Sequence, residues 1–313
     1  MRASDLLSLS LDWVLAPVAR GLVRLLQALP LGWVARLGRL GGLVAYGLDR
    51  RHRRVALENL RLCFSAEKTE RQIRALAREN FRRIGENFAC AIKTAAMRAA
   101  ELKPHLEFVG AEAVYPEPYE GPAPRRVVAL GHFGNFELYA RFGQFWPGVQ
   151  TATTYRALRH PRLDRLLQEI RAQSGCLYFE RRRDAAALRA AMATPGLMLG
   201  LLADQHAGRR GLRIPFFGHE CSTSAAPALF ALRYNCPLVT AVCYRIGPAR
   251  WRIELGQPIP THQDGQPRSL AAIMTDVNRV FEQAVRRDPA NWFWVHRRWK
   301  LSRRKPEPVV SAT

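Results

Sequence analysis

His132 and Glu137 are the residues whose types and spacing most directly suggest chemistry, in the segment VVALGHFGNFE at 127–137. A histidine takes up a proton near neutral pH, and a carboxylate on its second ring nitrogen fixes the tautomer and stabilises the charged form. Because neither a serine nor a cysteine stands beside this histidine, direct attack by an acceptor hydroxyl is simpler than a covalent intermediate. We therefore predict that His132 is a general base and that Glu137 is its partner. A His and an acid five residues apart also occur by chance as a structural or solvated pair.

The segment around His132 predicts how the residue is positioned. The apolar run RVVAL at 126–130 indicates a buried strand, and Gly131 and Gly134 give the backbone freedom to turn after it. His132 then lies at the carboxyl end of a strand, where open α/β sheets place their ligands. Asn135 is expected to cap the next helix, so that Glu137 falls in its first turn and the loop folds back to His132.

The rest of the chain alternates short apolar runs with helical patterns, which predicts a mostly parallel sheet covered on both faces. Ser65 is the predicted N-cap of a long amphipathic helix whose apolar residues run from Ile73 to Ile92, and 115–124 is a predicted loop. Predicted strands lie at 126–130, 151–155, 176–179, 197–202, 238–244 and 251–255, and predicted helices at 136–145, 161–174, 184–193, 225–234 and 269–286.

Composition limits the class of protein. The chain has 313 residues and 48% apolar residues, which indicates a globular fold with a sizeable core. Its 48 Lys and Arg against 26 Asp and Glu give a net charge of +22, so we expect a polyanionic partner, which is a nucleic acid, an anionic lipid or an acidic carrier protein. The six cysteines form neither a CxxC pair nor a zinc pattern, which indicates reduced, buried thiols in a cytosol-facing protein.

The first fifty residues differ from the rest. Arginines interrupt the apolar residues before a run of about 18 is reached, and Pro30 breaks the longest uncharged stretch, so the pattern indicates one or two amphipathic helices in the membrane interface. The basic cluster at 50–54 would then face anionic head groups. An ordinary helical hairpin is the alternative. We divide the chain into an anchor at 1–50, a main domain at 51–301 and a loose polar tail at 302–313.

GHFGNFE resembles the His-x4-Asp/Glu motif of glycerolipid acyltransferases. It is most similar to the form that this motif takes in the late (lauroyl/myristoyl) acyltransferases of lipid A biosynthesis. The resemblance covers nearly the whole chain. Further matching blocks are RVALENLRLCF at 54–64, Tyr155-Arg156 with Pro161, Leu163, Asp164, Arg171 and Gly175, Asp204-Gln205 with Phe216-Phe217-Gly218 and Thr223, and WVHRRWK at 294–300.

This resemblance implies an α/β fold with a mostly parallel central sheet flanked by helices, of the glycerolipid-acyltransferase type, behind N-terminal amphipathic helices that anchor it to the membrane. It implies transfer of a fatty acyl chain from an acyl carrier protein or coenzyme A thioester to a hydroxyl of a membrane glycolipid, foremost a Kdo-lipid A precursor. The expected place is the cytoplasmic face of the bacterial inner membrane, against anionic lipid. We expect no metal, no cofactor and no nucleic acid.

The resemblance also implies roles for individual residues. The catalytic residues would be His132, Glu137, Arg171 and Asp204. Arg171 could bind a phosphate or the developing oxyanion, and its alternative is a salt bridge on its own helix. The implied substrate contacts are Asn135, Tyr155, Arg156, Gln205, Thr223, Arg297 and Arg298.

Other interpretations stay open. The aromatic and basic residues at 292–300 suit a membrane interface, stacking on single-stranded nucleic acid, or plain core packing. The arginines at 181–183 would contact an acidic carrier, a lipid phosphate or only water. The rival functions are acylation of another glycolipid such as a phosphatidylinositol mannoside, hydrolysis of the thioester, and non-catalytic binding of membranes or nucleic acid.

Overall fold

A computed structural model describes residues 3–114 and 123–300 of the chain, and the side chains of 12–112 and 123–300. Most of the predicted loop at 115–124 and all of the predicted tail at 302–313 lie outside the described residues. The strands are β1 Leu106–Val109, β2 Arg126–Leu130, β3 Gln150–Tyr155, β4 Leu177–Glu180, β5 Leu197–Leu202, β6 Leu212–Phe216, β7 His219–Thr223, β8 Leu238–Gly247, β9 Arg250–Leu255, β10 His262–Gln263 and β11 Gln266–Pro267.

The helices surround the larger sheet. They are α1 Ala3–Ala28, α2 Leu31–Leu48, α3 Arg50–Phe64, α4 Glu70–Ala95, α5 Ala99–Leu102, α6 Ala111–Val114, α7 Pro161–Ala172, α8 Ala185–Ala191, α9 Ala226–Arg233 and α10 Leu270–Arg287, with 3₁₀ helices at Lys103–His105, Phe136–Gln144 and Pro289–Asn291.

The central sheet has the strand order β1-β9-β8-β2-β5-β3-β4. Only the β8–β9 pair in this sheet is antiparallel, and the other neighbours run parallel, as the alternation of strands and helices predicts. The carboxyl ends of β2, β5 and β3 therefore meet at one edge, which is the edge where ligands bind in parallel sheets.

The two faces of the sheet have separate cores because successive side chains of a strand point in opposite directions. On β2, Val127 and Ala129 join a core with α3, α8, α9 and α10. Val128 and Leu130 join a second core with α2 and the 3₁₀ helix Phe136–Gln144. We call these the α8/α9 face and the 3₁₀ face.

The N-terminal helices lie against the body of the protein. α2 crosses α4 at close range because three glycines meet there: a Cβ on Gly38 or Gly42 would collide with the backbone of α4, and one on Gly85 with the backbone of α2. Much of the outer surface of α1 and α2 is apolar, since eleven of their large apolar side chains are exposed among those that the structure describes: Trp13, Val14, Leu15, Val18, Leu22, Leu25, Trp33, Leu37, Leu40, Val44 and Leu48. In the described residues, no helix has the length and hydropathy needed to span a membrane.

α1 is also fastened to α7. The buried carboxylate of Asp12 accepts hydrogen bonds from the backbone N–H groups of Arg162 at 2.8 Å and Leu163 at 3.4 Å, so it caps the start of α7 from another helix. The Arg162 guanidinium lies over the Trp13 ring, and Arg20 forms a salt bridge with Glu169. The position of α7 thus depends on α1.

One predicted helix boundary needs correction. Ser65 is the C-cap of α3, and Thr69 begins α4 with a capping box to Gln72, because only Thr69 has a glutamine at the third helical position to complete the box. The sequence also did not predict β1 or the β6–β7 hairpin. The core alternative for the aromatic residues near the C-terminus is confirmed for Trp292 and Trp294, which are buried.

Candidate active site

His132 lies in the turn that follows β2, at the predicted edge of the sheet. Gly134 adopts a φ of 51°, and a Cβ at this position would meet the carbonyl oxygen of Cys243 at 2.5 Å, so the turn requires glycine. The Gly134 N–H donates to the carbonyl oxygen of Asn291 at 3.0 Å, and Phe133 forms an isolated antiparallel β-bridge with Trp292. The loop that carries the imidazole is therefore held from both sides.

Asp204, two residues after the end of β5, is the hydrogen-bond partner of His132. Oδ1 of the aspartate lies 2.7 Å from Nδ1 of the histidine, and Oδ2 accepts the His132 backbone N–H at 2.7 Å. The indole Nε1–H of Trp292 donates to the same Oδ2 at 2.8 Å. The two residues meet because β2 and β5 are parallel neighbours, and the Ala203 N–H donates to the Leu130 carbonyl where the strands end.

The carboxylate of Asp204 is fully buried, yet it stays ionised. Burial raises its pKa, but the charge of His132 and the hydrogen bonds from His132 and Trp292 outweigh that effect, so the net shift of the pKa is downward. A carboxylate facing Nδ1 places a proton there and leaves Nε2 with its lone pair free. The imidazole is thereby prepared to accept a proton at Nε2.

Glu137 does not bond His132, and this part of the sequence interpretation is wrong. Its two oxygens accept hydrogen bonds from Arg171, from Nη2 at 2.6 Å and from Nε at 3.2 Å. Glu137 lies in the first turn of a 3₁₀ helix that turns away from the loop, towards the last turn of α7. The alternative for Arg171, a salt bridge within its own helix, is also wrong, because its partner Glu137 lies outside α7.

Arg171 is held firmly at this position. Burial lowers its pKa, but the hydrogen bond and the charge of Glu137 outweigh that effect and raise it. The guanidinium also lies 5.3 Å from the centre of the Tyr178 ring. A fixed, charged arginine near the base can bind a phosphate or a developing negative charge.

A cavity of about 890 Å³ brings these groups together, and we call it the active-site cavity. His132, Glu137 and Arg171 line it, and apolar side chains of α4 and α7 form a long wall. The wall consists of Phe88, Ala91, Ile92, Leu163, Leu166, Leu167 and Ile170. A base and an arginine beside an apolar wall suit an amphiphilic substrate with an anionic group.

The sequence matches the model of the family described as bacterial lipid A biosynthesis acyltransferase over residues 4–301. The chain belongs to this family. A relative is the lipid A biosynthesis lauroyltransferase of Escherichia coli (strain K12), which is 25% identical over 296 residues, or 93% of this chain and 92% of the relative. The protein is therefore an acyltransferase, and it requires an acyl donor and a glycolipid acceptor.

The predicted substrate contacts of this acyltransferase fall into three groups. Tyr155, Arg156 and Gln205 line the active-site cavity. Arg297 is exposed and does not line it. The other three, Asn135, Thr223 and Arg298, are buried.

Of these three, Arg298 and Thr223 bond to each other within the protein, whereas Asn135 lines a small cavity together with His132 and Glu137. Arg298 donates to the carbonyl oxygens of Gln205 and Ser222 and to Oγ1 of Thr223. Asn135 makes no helix-capping bond, and its Nδ2 lies 3.5 Å from Oγ1 of Thr94. Because Arg298 binds the Gln205 carbonyl, it fixes the segment that carries Asp204.

The sequence interpretation missed two residues at the site, Trp292 and His296. Trp292 orients Asp204, and Nε2 of His296 accepts the backbone N–H of His206 at 3.0 Å. Burial lowers the pKa of His296 to about 4, so this ring is neutral and carries its proton on Nδ1. Both residues belong to the block of aromatic and basic residues at 292–300. A histidine between tryptophans in this block was the signal that the sequence offered.

Proposed function

We propose that this enzyme transfers a fatty acyl chain from an acyl carrier protein thioester, or from a coenzyme A thioester, to a hydroxyl of a Kdo-lipid A precursor. The observation that carries the proposal is the His132–Asp204 pair, in which the buried Asp204 holds the histidine that lines the active-site cavity together with apolar helices and a fixed arginine. The family and the name of the Escherichia coli relative support this acceptor over another glycolipid.

In the proposed reaction, the acceptor oxygen attacks the thioester carbonyl carbon as its proton passes to Nε2 of His132. Asp204 stabilises the imidazolium that forms, since its carboxylate faces the opposite nitrogen. The tetrahedral intermediate then collapses, the C–S bond breaks, and the leaving sulfur takes the proton back from Nε2. The ester and a free thiol are the products, and no step needs a metal or a redox cofactor.

Arg171 and Glu137 have a supporting role in this proposal. The ion pair lines the active-site cavity beside His132, and Arg156 lines the same cavity. Guanidinium groups bind phosphates in preference to neutral sugars, so these arginines would hold the phosphates of the acceptor. Glu137 would fix Arg171 and leave its remaining N–H groups for the substrate.

The proposed location is the cytoplasmic face of the inner membrane, with α1 and α2 lying in the interface. The exposed apolar side chains of these helices support it, and so does the row of arginines at the start of α3. Amphipathic helices with basic flanks bind anionic bilayers in this manner. The apolar wall of α7 would then face the acyl chains of the lipid.

The test is the His132→Ala variant, assayed with purified Kdo-lipid A precursor and a lauroyl carrier thioester. We expect turnover to fall by about 10²- to 10⁴-fold, because general base catalysis contributes that much, while circular dichroism and vesicle binding stay unchanged. Wild-type turnover in the variant would disprove the mechanism. Release of free fatty acid by the wild type, without any acceptor, would favour the hydrolase alternative.

A further inference from the structure

A second cavity of about 350 Å³ opens on the α8/α9 face, and we call it the α8/α9 cleft. Its floor is apolar and consists of Leu188, Leu201 and Phe230. Four residues line both this cleft and the active-site cavity, namely Thr154, Arg181, Leu202 and Ser224. The two cavities therefore adjoin at the carboxyl end of β5, the strand that Asp204 follows.

The rim of the α8/α9 cleft is strongly basic. Arg181, Arg189 and Arg233 line it and are exposed to solvent. Within the residues that the structure describes, no carboxylate lies within 4 Å of these three guanidinium groups. Arg182 and Arg183 are exposed beyond the rim, and Arg183 lies 3.9 Å from the carboxylate of Glu180.

The carboxylates that do line the cleft are engaged elsewhere. One oxygen of Glu180 accepts the backbone N–H groups of Arg182 and Arg183, and Asp184 accepts the backbone N–H of Glu180. They shape the turn after β4 rather than pair with Arg189 or Arg233. The positive charge of the rim is therefore available to an anionic partner.

His132 lines the active-site cavity, and the α8/α9 cleft adjoins that cavity at the four shared residues. The active-site cavity is walled by α4, α7 and the 3₁₀ helix Phe136–Gln144, and α7 is fastened to α1 with its exposed apolar side chains. The α8/α9 cleft lies across the sheet from that helix. A lipid acceptor can thus enter through the active-site cavity beside α7. The α8/α9 cleft remains as the entrance for a water-soluble donor.

We propose that the α8/α9 cleft binds the phosphopantetheine arm of the acyl donor, and that the basic surface around it docks an acidic acyl carrier protein. This inference rests on the proposed function. The arm carries a phosphate at its base and an apolar, amide-linked stem, which matches an arginine rim over an apolar floor. The thioester then reaches Leu202, and its acyl chain enters the active-site cavity.

The carrier protein is preferred to coenzyme A because of the extent of the basic surface. Coenzyme A offers three phosphates at one end of the arm, whereas the arginines lie both on the rim and beyond it, and an acidic protein surface would meet both sets. Such pairing of opposite charges over an interface speeds encounter and weakens with salt.

The experiment is a charge reversal of the rim, Arg189→Glu with Arg233→Glu, on the full-length enzyme. We expect the KM for lauroyl carrier protein to rise at least about tenfold at 0.1 M salt and to become less sensitive to added salt. The KM for the glycolipid and the kcat at saturating donor should stay within about twofold of the wild type. Arg71→Glu with Arg78→Glu is the matched control, since both are exposed arginines of α4 that line neither cavity.

The outcomes separate this inference from the proposed function. An unchanged donor KM, in a variant whose turnover still depends on His132, would overturn the docking site and leave the acyl transfer standing. A rise in the KM for the glycolipid instead would also overturn it, because the cleft would then hold acceptor phosphates. With lauroyl coenzyme A as donor, a smaller rise supports the carrier protein, whereas an equal or larger rise overturns that choice of donor.

Discussion

At the scale of single residues, the site depends on one buried carboxylate. Asp204 binds the ring and the backbone of His132 and the indole of Trp292, so both its oxygens are used. An aspartate with three donors cannot rotate away from the histidine without the loss of several hydrogen bonds in a dry environment. Tautomer and ring orientation are thereby fixed together before a substrate arrives.

Substitution of the two candidate acids distinguishes their roles. Asp204→Asn should lower kcat by about 10²- to 10⁴-fold, because an amide cannot stabilise the imidazolium and no longer fixes the tautomer. Glu137→Gln should mainly raise the KM for the glycolipid, since it loosens Arg171 and leaves the His132 pair intact. Steady-state kinetics on both variants check this. A larger loss of kcat in Glu137→Gln would restore the assignment made from the sequence.

The sequence predicts His132, and the family resemblance marks Asp204 as catalytic, but neither predicts that the two are partners, and the reason is distance along the chain. The strand end and glycine turn around His132 are local features, whereas Asp204 is 72 residues further on. Their contact follows only from the pairing of β2 with β5, which one sequence does not reveal. Glu137 was chosen because it is near in sequence, although the 3₁₀ helix carries it towards Arg171.

At the scale of elements, α2 and α4 are in close contact. Gly38, Gly42 and Gly85 let the two backbones approach, and α4 in turn lines the active-site cavity. Gly41 lies next to this contact on the outer side of α2, with open space where its Cβ would be. Gly42 therefore has to lack a side chain, whereas no neighbour requires this of Gly41.

These two glycines give a matched pair of variants. Gly42→Ala should destabilise the protein by about 1–3 kcal/mol, since its Cβ would push into the Phe81 carbonyl. Gly41→Ala should stabilise it by about 0.5–1 kcal/mol, because alanine is the better helix former and nothing stands in its way. Thermal unfolding in detergent measures both. Equal shifts of Tm in the two variants would contradict the close contact.

Much of the sheet follows from sequence, but the β6–β7 hairpin does not. Its turn places Phe217 at a φ of 52° and Gly218 at 71°, a conformation for which asparagine or aspartate before glycine is the usual signal. The phenylalanine is held there by tertiary contacts, because its N–H donates to Glu282 at 2.6 Å and its ring packs on Phe64 and Phe216. Local sequence rules cannot detect a turn that distant residues stabilise.

At the scale of the whole molecule, exposed apolar side chains are concentrated on two helices of a strongly basic chain. Among the residues whose side chains the structure describes, most of the large exposed apolar ones lie on α1 and α2, and the chain carries a net charge of +22. A concentration of exposed apolar side chains of this kind indicates a membrane or protein contact. With basic residues around it, attachment to an anionic bilayer should combine burial of apolar area with electrostatic attraction.

Removal of two leucines from this surface tests the attachment. Leu22→Gln with Leu25→Gln should weaken binding to phosphatidylglycerol vesicles at least about tenfold, since each leucine buried in the bilayer contributes about 1.5–3 kcal/mol. Leu62→Gln with Leu177→Gln is the control, because these leucines are exposed on α3 and β4. Sedimentation with vesicles measures binding. Equal effects of the two double variants would argue against a membrane face on α1.

The Asp12 cap on α7 has a practical consequence for anyone who shortens the protein. Deletion of α1, the obvious way to make a more tractable sample, would remove the carboxylate that receives the N–H groups of Arg162 and Leu163. The first turn of α7 would then fray, and its last turn carries Arg171. Low turnover of the shortened protein would therefore reflect damage to the active-site cavity rather than loss of membrane binding, even in an assay without a bilayer.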